Sequence, residues 1–120
     1  MNTDTNFGSL IKQARKEKGY SQRELAGKLG VDFTYLSKLE NDNAKYAPKE
    51  DVIRKLAHFL SLEENKLVFL AGRIPSEDED LIKEHYENMP LLFRRMRENP
   101  EFAAKIFQQA QDDEMDNENK

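Results

Sequence analysis

The chain has no cysteine and no tryptophan among its 120 residues. The first absence removes disulfide frameworks, thiol nucleophiles and thiolate metal sites together, and it suits a reducing compartment. No apolar run approaches the roughly 20 residues that cross a bilayer. The opening MNTDTNFGSL has neither the basic start nor the apolar stretch of an export signal, so the expectation is a soluble, cytoplasmic protein. Period-two alternation, hairpin dipeptides and internal repeats are also missing, which leaves no expected strand. The usual signatures of catalysis are absent too: there is no Gly-rich phosphate loop, no Ser/His/Asp order and no carboxylate pair in an apolar setting. The two histidines, His58 and His85, lack a ligand-like spacing and read as packing or surface residues. Acidic Glu77 to Asp80 lacks the loop glycine of a calcium site. We expect no metal, no cofactor and no enzyme.

The net charge of −4 is unevenly spread. Residues 1–72 hold 12 basic and 10 acidic side chains, a net of +2, whereas residues 73–120 hold 7 and 13, a net of −6. Screening confines a charge's influence to about 10 Å at 0.1 M salt, so an acidic whole does not exclude a locally basic nucleic-acid face.

What is present is helical periodicity. Phe7, Leu10, Ile11 and Ala14 mark a first helix that Gly19 ends. Ser21 and Glu24 have capping-box spacing ahead of Leu25, Ala26 and Leu29, and Gly30 closes this second helix. Asp32 is placed to cap a third helix with Leu36 and Leu39 on its inner side, ending near Asn41. After a polar stretch, Pro48 is expected at the first position of a fourth helix carrying Val52, Ile53, Leu56, Ala57 and Leu60. Ser61 and Glu64 suggest a capping box for a fifth helix, with Leu67, Leu70 and Ala71, stopping at Gly72. Ser76 and Glu79 suggest another for a sixth. Pro90 and Pro100 then divide two further short helices, and residues 112–120 are expected to be a disordered acidic tail.

From Gln22 to Asn41 the spacing is that of a helix-turn-helix. A small residue, Ala26, stands at the crossing, a glycine at the turn, and Val31, Leu36 and Leu39 hold the second helix with its other face outward. The run SQRELAGKLGVDFTYLSKLEND resembles the Cro/C1-type (XRE) family of regulators over about residues 7–72. That resemblance implies an all-α fold with a five-helix, lambda-repressor-like DNA-binding domain over 1–72, and the spacing beyond it adds short C-terminal helices over 73–111 that are expected to dimerise or regulate. With the apolar C-terminal groups and the lack of an evident activation surface, the expectation is a sequence-specific, dimeric repressor of a palindromic operator. The alternative is a protein-interaction module, antitoxin-like or partner-controlled, that keeps the fold.

Carried over by position, the outward face of the third helix is Asp32, Phe33, Thr34, Ser37 and Lys38, with Asn41 at its end, all base-proximal candidates. Lys38 can donate to guanine, and Phe33 can lie against a thymine methyl. Gln22, Tyr35, Asn43 and Lys45 are candidate phosphate contacts. Arg15 and Glu40 match a structural ion pair of the family, while Asp32 and Asp42-Asn43 depart from its pattern. Leu91, Leu92, Phe93, Met96, Phe102, Ile106 and Phe107 are many large apolar groups for short helices, and a two-fold interface is their expected use. The implied partners are double-stranded DNA, a second copy, and a regulatory protein or protease acting on the C-terminal region.

Overall fold

The structure, a computed structural model, describes residues 5–118, with side chains as far as Met115. Among the described residues there are eight helices and no strand: α1 Phe7–Lys18, α2 Gln22–Leu29, α3 Phe33–Glu40, α4 Glu50–Leu60, α5 Glu64–Leu70, α6 Ser76–Glu84, α7 Met89–Glu98 and α8 Pro100–Glu118. The chain divides into two compact units, residues 1–77 and residues 78–120.

In the first unit α1 packs on α3 and α4, α2 packs on α3 and α4, and α5 closes against α4. Ile11, Leu25, Leu36, Ile53, Leu56 and Val68 are completely buried where these helices meet. Local chemistry fixes the helix ends. Asn6 accepts from the Ser9 N–H at 2.9 Å and caps α1, a box the sequence reading did not pick out. Ser21 and Glu24 form the expected reciprocal box on α2: Glu24 N–H donates to Ser21 Oγ at 3.0 Å, and Ser21 N–H to Glu24 Oε1 at 3.1 Å. Gly30 ends α2 at φ 74°, a left-handed conformation that costs other residues a Cβ clash, and so lets α3 begin almost at once.

The first turn of α1 lies directly on the end of α3. A Cβ on Gly8 would stand 2.7 Å from the carbonyl oxygens of Leu39 and Glu40, so only glycine fits. Asp42, at φ 57°, turns its carboxylate to accept from the Gly8 N–H at 3.2 Å. The family departure noted at Asp42 thus has a structural role, satisfying a free donor in the first turn of α1.

Several expected boundaries shift. Pro48 is not the first helical residue: α4 starts at Glu50, and buried Pro48 offers its carbonyl to Arg73 Nε instead. Ser61 does not cap α5 but ends α4 at φ 58°, and Glu63 caps α5 by accepting from Asn65 and Lys66 N–H. The Glu64 carboxylate is drawn to Arg54 at 3.1 Å and does not reach back. Ser76 forms no box with Glu79. Its N–H and hydroxyl donate to Glu50 at 2.8 and 3.0 Å. These bonds, the Ser76 N–H foremost, hold the Glu50 carboxyl below the usual carboxylate range against partial desolvation, with Arg54 assisting.

Because Arg73 and Ser76 are tied back to Pro48 and Glu50, and Pro75 is buried, the first compact unit extends past Gly72, the boundary expected from sequence. In the second unit α7 packs on α8, with Arg95 4.2 Å over the Phe102 ring. The helix α8 is 19 residues long and runs through the segment expected to be disordered as far as Glu118. No proline or glycine follows Pro100 to break it, and Gln108 donates to Asp112 one turn on. Residues 119–120 of that expected tail lie outside the described residues.

Candidate nucleic-acid interface

Two helices joined through Gly30 set up the site. α3 turns Leu36 and Leu39 into the core at 0% and 2% exposure, which leaves Phe33, Thr34 and Lys38 exposed and Ser37 and Tyr35 half-buried. Its C-terminal end is fixed by a buried ion pair. Arg15 Nε donates to Glu40 Oε2 at 2.7 Å and Nη2 to Oε1 at 3.1 Å, while Nη1 donates to the Tyr20 carbonyl at 2.9 Å. Such a two-pronged pair is geometrically specific, and it ties α1, the α1–α2 turn and α3 into one body.

Gln22, a candidate phosphate contact, stands against this buried pair. Its Nε2 donates to Glu40 Oε1 at 3.1 Å, so the amide completes the buried pair. Asn41 is likewise engaged locally, donating to the Ser37 carbonyl at 2.9 Å and to the Ser37 hydroxyl at 3.4 Å. Asp32 precedes α3 at the capping position, yet its carboxylate makes no cap bond. Asn43 is exposed, with its backbone N–H bonded to the Lys38 carbonyl.

Tyr35, Lys38 and Lys45, by contrast, come together in one surface depression of roughly 420 Å³, which Tyr46, Lys49 and Arg73 complete. Four cations and no carboxylate line it. Lys45 lies 5.4 Å from the Tyr46 ring centroid, and Arg73 Nη2 donates to the Ala47 carbonyl at 3.2 Å. The Arg73 bonds to Ala47 and Pro48 anchor the α3–α4 loop, and with it Lys45, beside the exposed end of α3. Such a concentration of donors and positive charge, backed by a rigid helix, suits a polyanion. Sequence alone did not single out Tyr46, Lys49 or Arg73, because they reach this place only through the fold. Arg23 was also missed: its guanidinium carbon lies 4.0 Å from the Phe33 ring centroid.

Among the described residues no group of three or more His, Asp or Glu side chains is placed to hold a metal. No described helix is long and apolar enough to cross a membrane.

A five-helix unit with a tight α2–α3 turn and an outward, partly basic α3 defines a helix-turn-helix protein. A helix-turn-helix family model matches residues 11–67. The HTH-type transcriptional regulator SinR of Bacillus subtilis (strain 168) is 37% identical over 83 residues, covering 65% of this chain and 75% of that one. The ImmF control region 10 kDa protein of Bacillus phage phi105 is 42% identical over 61 residues, 51% of this chain and 66% of that one. Among solved structures, the biofilm master regulator SinR in complex with DNA is 40% identical with a TM-score of 0.47, covering 52% of this chain and 97% of that chain. The chain belongs to the Cro/C1-type (XRE) family of helix-turn-helix transcriptional regulators. The regulatory role of such relatives is non-enzymatic.

Proposed function

We propose that this regulator is a cytoplasmic, non-enzymatic, sequence-specific repressor that binds a palindromic DNA operator as a homodimer. The observation that carries the DNA reading is the joining of Lys38, Tyr35 and Lys45 with Lys49 and Arg73 in one basic depression beside the outward face of α3. In this reading α3 enters the major groove, with Phe33, Thr34, Ser37 and Lys38 near base edges. Tyr35, Lys45, Lys49 and Arg73 contact phosphates. Asp32 and Asn43 flank that surface, whereas Gln22 and Asn41 act first by ordering it.

Pairing is assigned to residues 78–120. Leu91, Phe93, Ile106 and Phe107 are 48%, 55%, 37% and 55% exposed, and Leu92, Met96 and Phe102 are half-buried. Covering such groups is the main favourable term in association. A two-fold pair would set two copies of α3 one DNA turn apart, roughly 34 Å, and repression would follow by occluding a promoter. The same apolar surface favours a second reading, in which a regulatory protein or protease takes the place of the second copy.

Titration of the full chain against duplex from immediately upstream of its own gene, and against a scrambled duplex, at two salt concentrations tests the proposal. Tight, salt-sensitive binding that prefers the native duplex is expected. Binding to neither duplex, together with a stable complex between the chain and a different protein, would put the interaction module in its place.

A further inference from the structure

Phe33 is the first residue of α3, is 37% exposed, and is not among the side chains that form the core or pack against it. What the ring does contact is Arg23 of α2, whose guanidinium carbon stands 4.0 Å from the ring centroid. A guanidinium can rest its flat face on an aromatic ring while its N–H donors project from the edge in a fixed fork. Among the described residues those donors enter no ion pair, since the arginine pairs belong to Arg15 and Arg54. The side chain is exposed, held at one place and unspent. A long side chain fixed in advance loses less entropy on binding than a free one.

Two further features decide what the fork meets. The N-terminal end of a reading helix is the part that approaches base edges in the major groove. Next to Phe33 stands Asp32, an exposed carboxylate that makes no cap bond and adds a negative charge at this end. That charge opposes a phosphate oxygen, which carries a full negative charge, more strongly than the uncharged edge of a guanine, where O6 and N7 accept the two bonds a guanidinium offers. We propose that Arg23 is a specificity-determining residue, positioned by the Phe33 ring to read a guanine at the edge of each half-site. The proposal rests on α3 being the DNA-reading helix and adds a residue from the neighbouring helix to the reading surface.

The test begins with a duplex selected by the full chain from a random-sequence pool. Wild type, Arg23→Ala, Phe33→Leu and Phe33→Tyr are titrated against it, against single base-pair variants, and against versions with 7-deazaguanine replacing one guanine at a time. Wild type should lose about 10-fold or more when one particular guanine is changed or lacks N7. Arg23→Ala should bind the selected duplex about 10- to 100-fold more weakly and become indifferent to that guanine, with its melting temperature unchanged. Phe33→Leu should blunt the same preference, and Phe33→Tyr, which keeps a ring face, should retain it. Uniform weakening of Arg23→Ala on every duplex, with a salt slope lower by about one, would make Arg23 a phosphate contact and overturn the proposal. Unchanged binding by Arg23→Ala would overturn it as well. If wild type selects no duplex at all, the DNA-reading role of α3 fails first, a result distinct from a failure at Arg23 alone.

Discussion

The two units of this chain bury apolar surface in opposite ways. Among the described residues, the first unit encloses fourteen hydrophobic side chains, several at 0% exposure, and a buried Arg15–Glu40 pair. In α6, α7 and α8 of the other unit no residue reaches full burial up to Met115, and Leu91, Phe93 and Phe107 stand about half exposed. The first unit therefore has what a domain needs to hold a reading helix rigid on its own. The second leaves large apolar groups exposed, and the proposal gives pairing to it.

If this contrast is right, the largest loss of stability comes from leaving a charge unpaired inside the first unit. Glu40→Ala strands buried Arg15, and urea unfolding should show a loss of about 3–5 kcal/mol. Leu36→Ala opens a cavity in the same core and should cost about 2–5 kcal/mol. Its counterpart, Phe93→Ala, should leave the unfolding of the first unit within about 0.5 kcal/mol of wild type while shifting sedimentation toward the monomer. Should Phe93→Ala sediment as a dimer, the interface lies elsewhere.

Smaller effects sharpen the same comparison at its edges. Ser21→Ala removes the α2 cap and should cost about 0.5–2 kcal/mol, visible in thermal melts of the full chain. The smallest is a pH effect at the end of the first unit. The Glu50 carboxyl is held below its usual range by Ser76, so the stability it contributes is complete above the ordinary carboxylate value and is lost as pH falls through the lowered one. The Ser76 amide resonance should therefore titrate in acid with a midpoint under the usual carboxylate value, and Glu50→Gln should abolish that titration. A Ser76 amide that titrates identically in Glu50→Gln would remove the link.

The helices and the turn at Gly30 were legible in the sequence because they rest on local rules: apolar residues at helical spacing, the Ser21–Glu24 box, a glycine at the left-handed position. The family's Arg15–Glu40 pairing is present in the geometry as well. What was misread depends on side chains that meet across long stretches of chain. Ser61 and Ser76 have capping-box spacing, yet Arg54 takes Glu64 and Glu50 takes Ser76, so neither box forms, although α6 does start at Ser76. The bond between Gln22 and Glu40 and the place of Arg23 beside Phe33 likewise appear only in the fold. For the candidate site, the sequence supplied Tyr35, Lys38 and Lys45, while Lys49 and Arg73 needed the folded loop to bring them alongside.

The most direct test of the account is a hydroxyl-radical footprint of the full chain on its selected operator, repeated with residues 1–77 alone. The account predicts two protected patches on one face of the duplex, centred about one helical turn or roughly 34 Å apart, for the full chain. The shorter chain should give the same protection only at concentrations about 100-fold higher, as expected when two reading helices are no longer linked. A single patch, or equal protection by both chains at equal concentration, would contradict the division of labour between the two units.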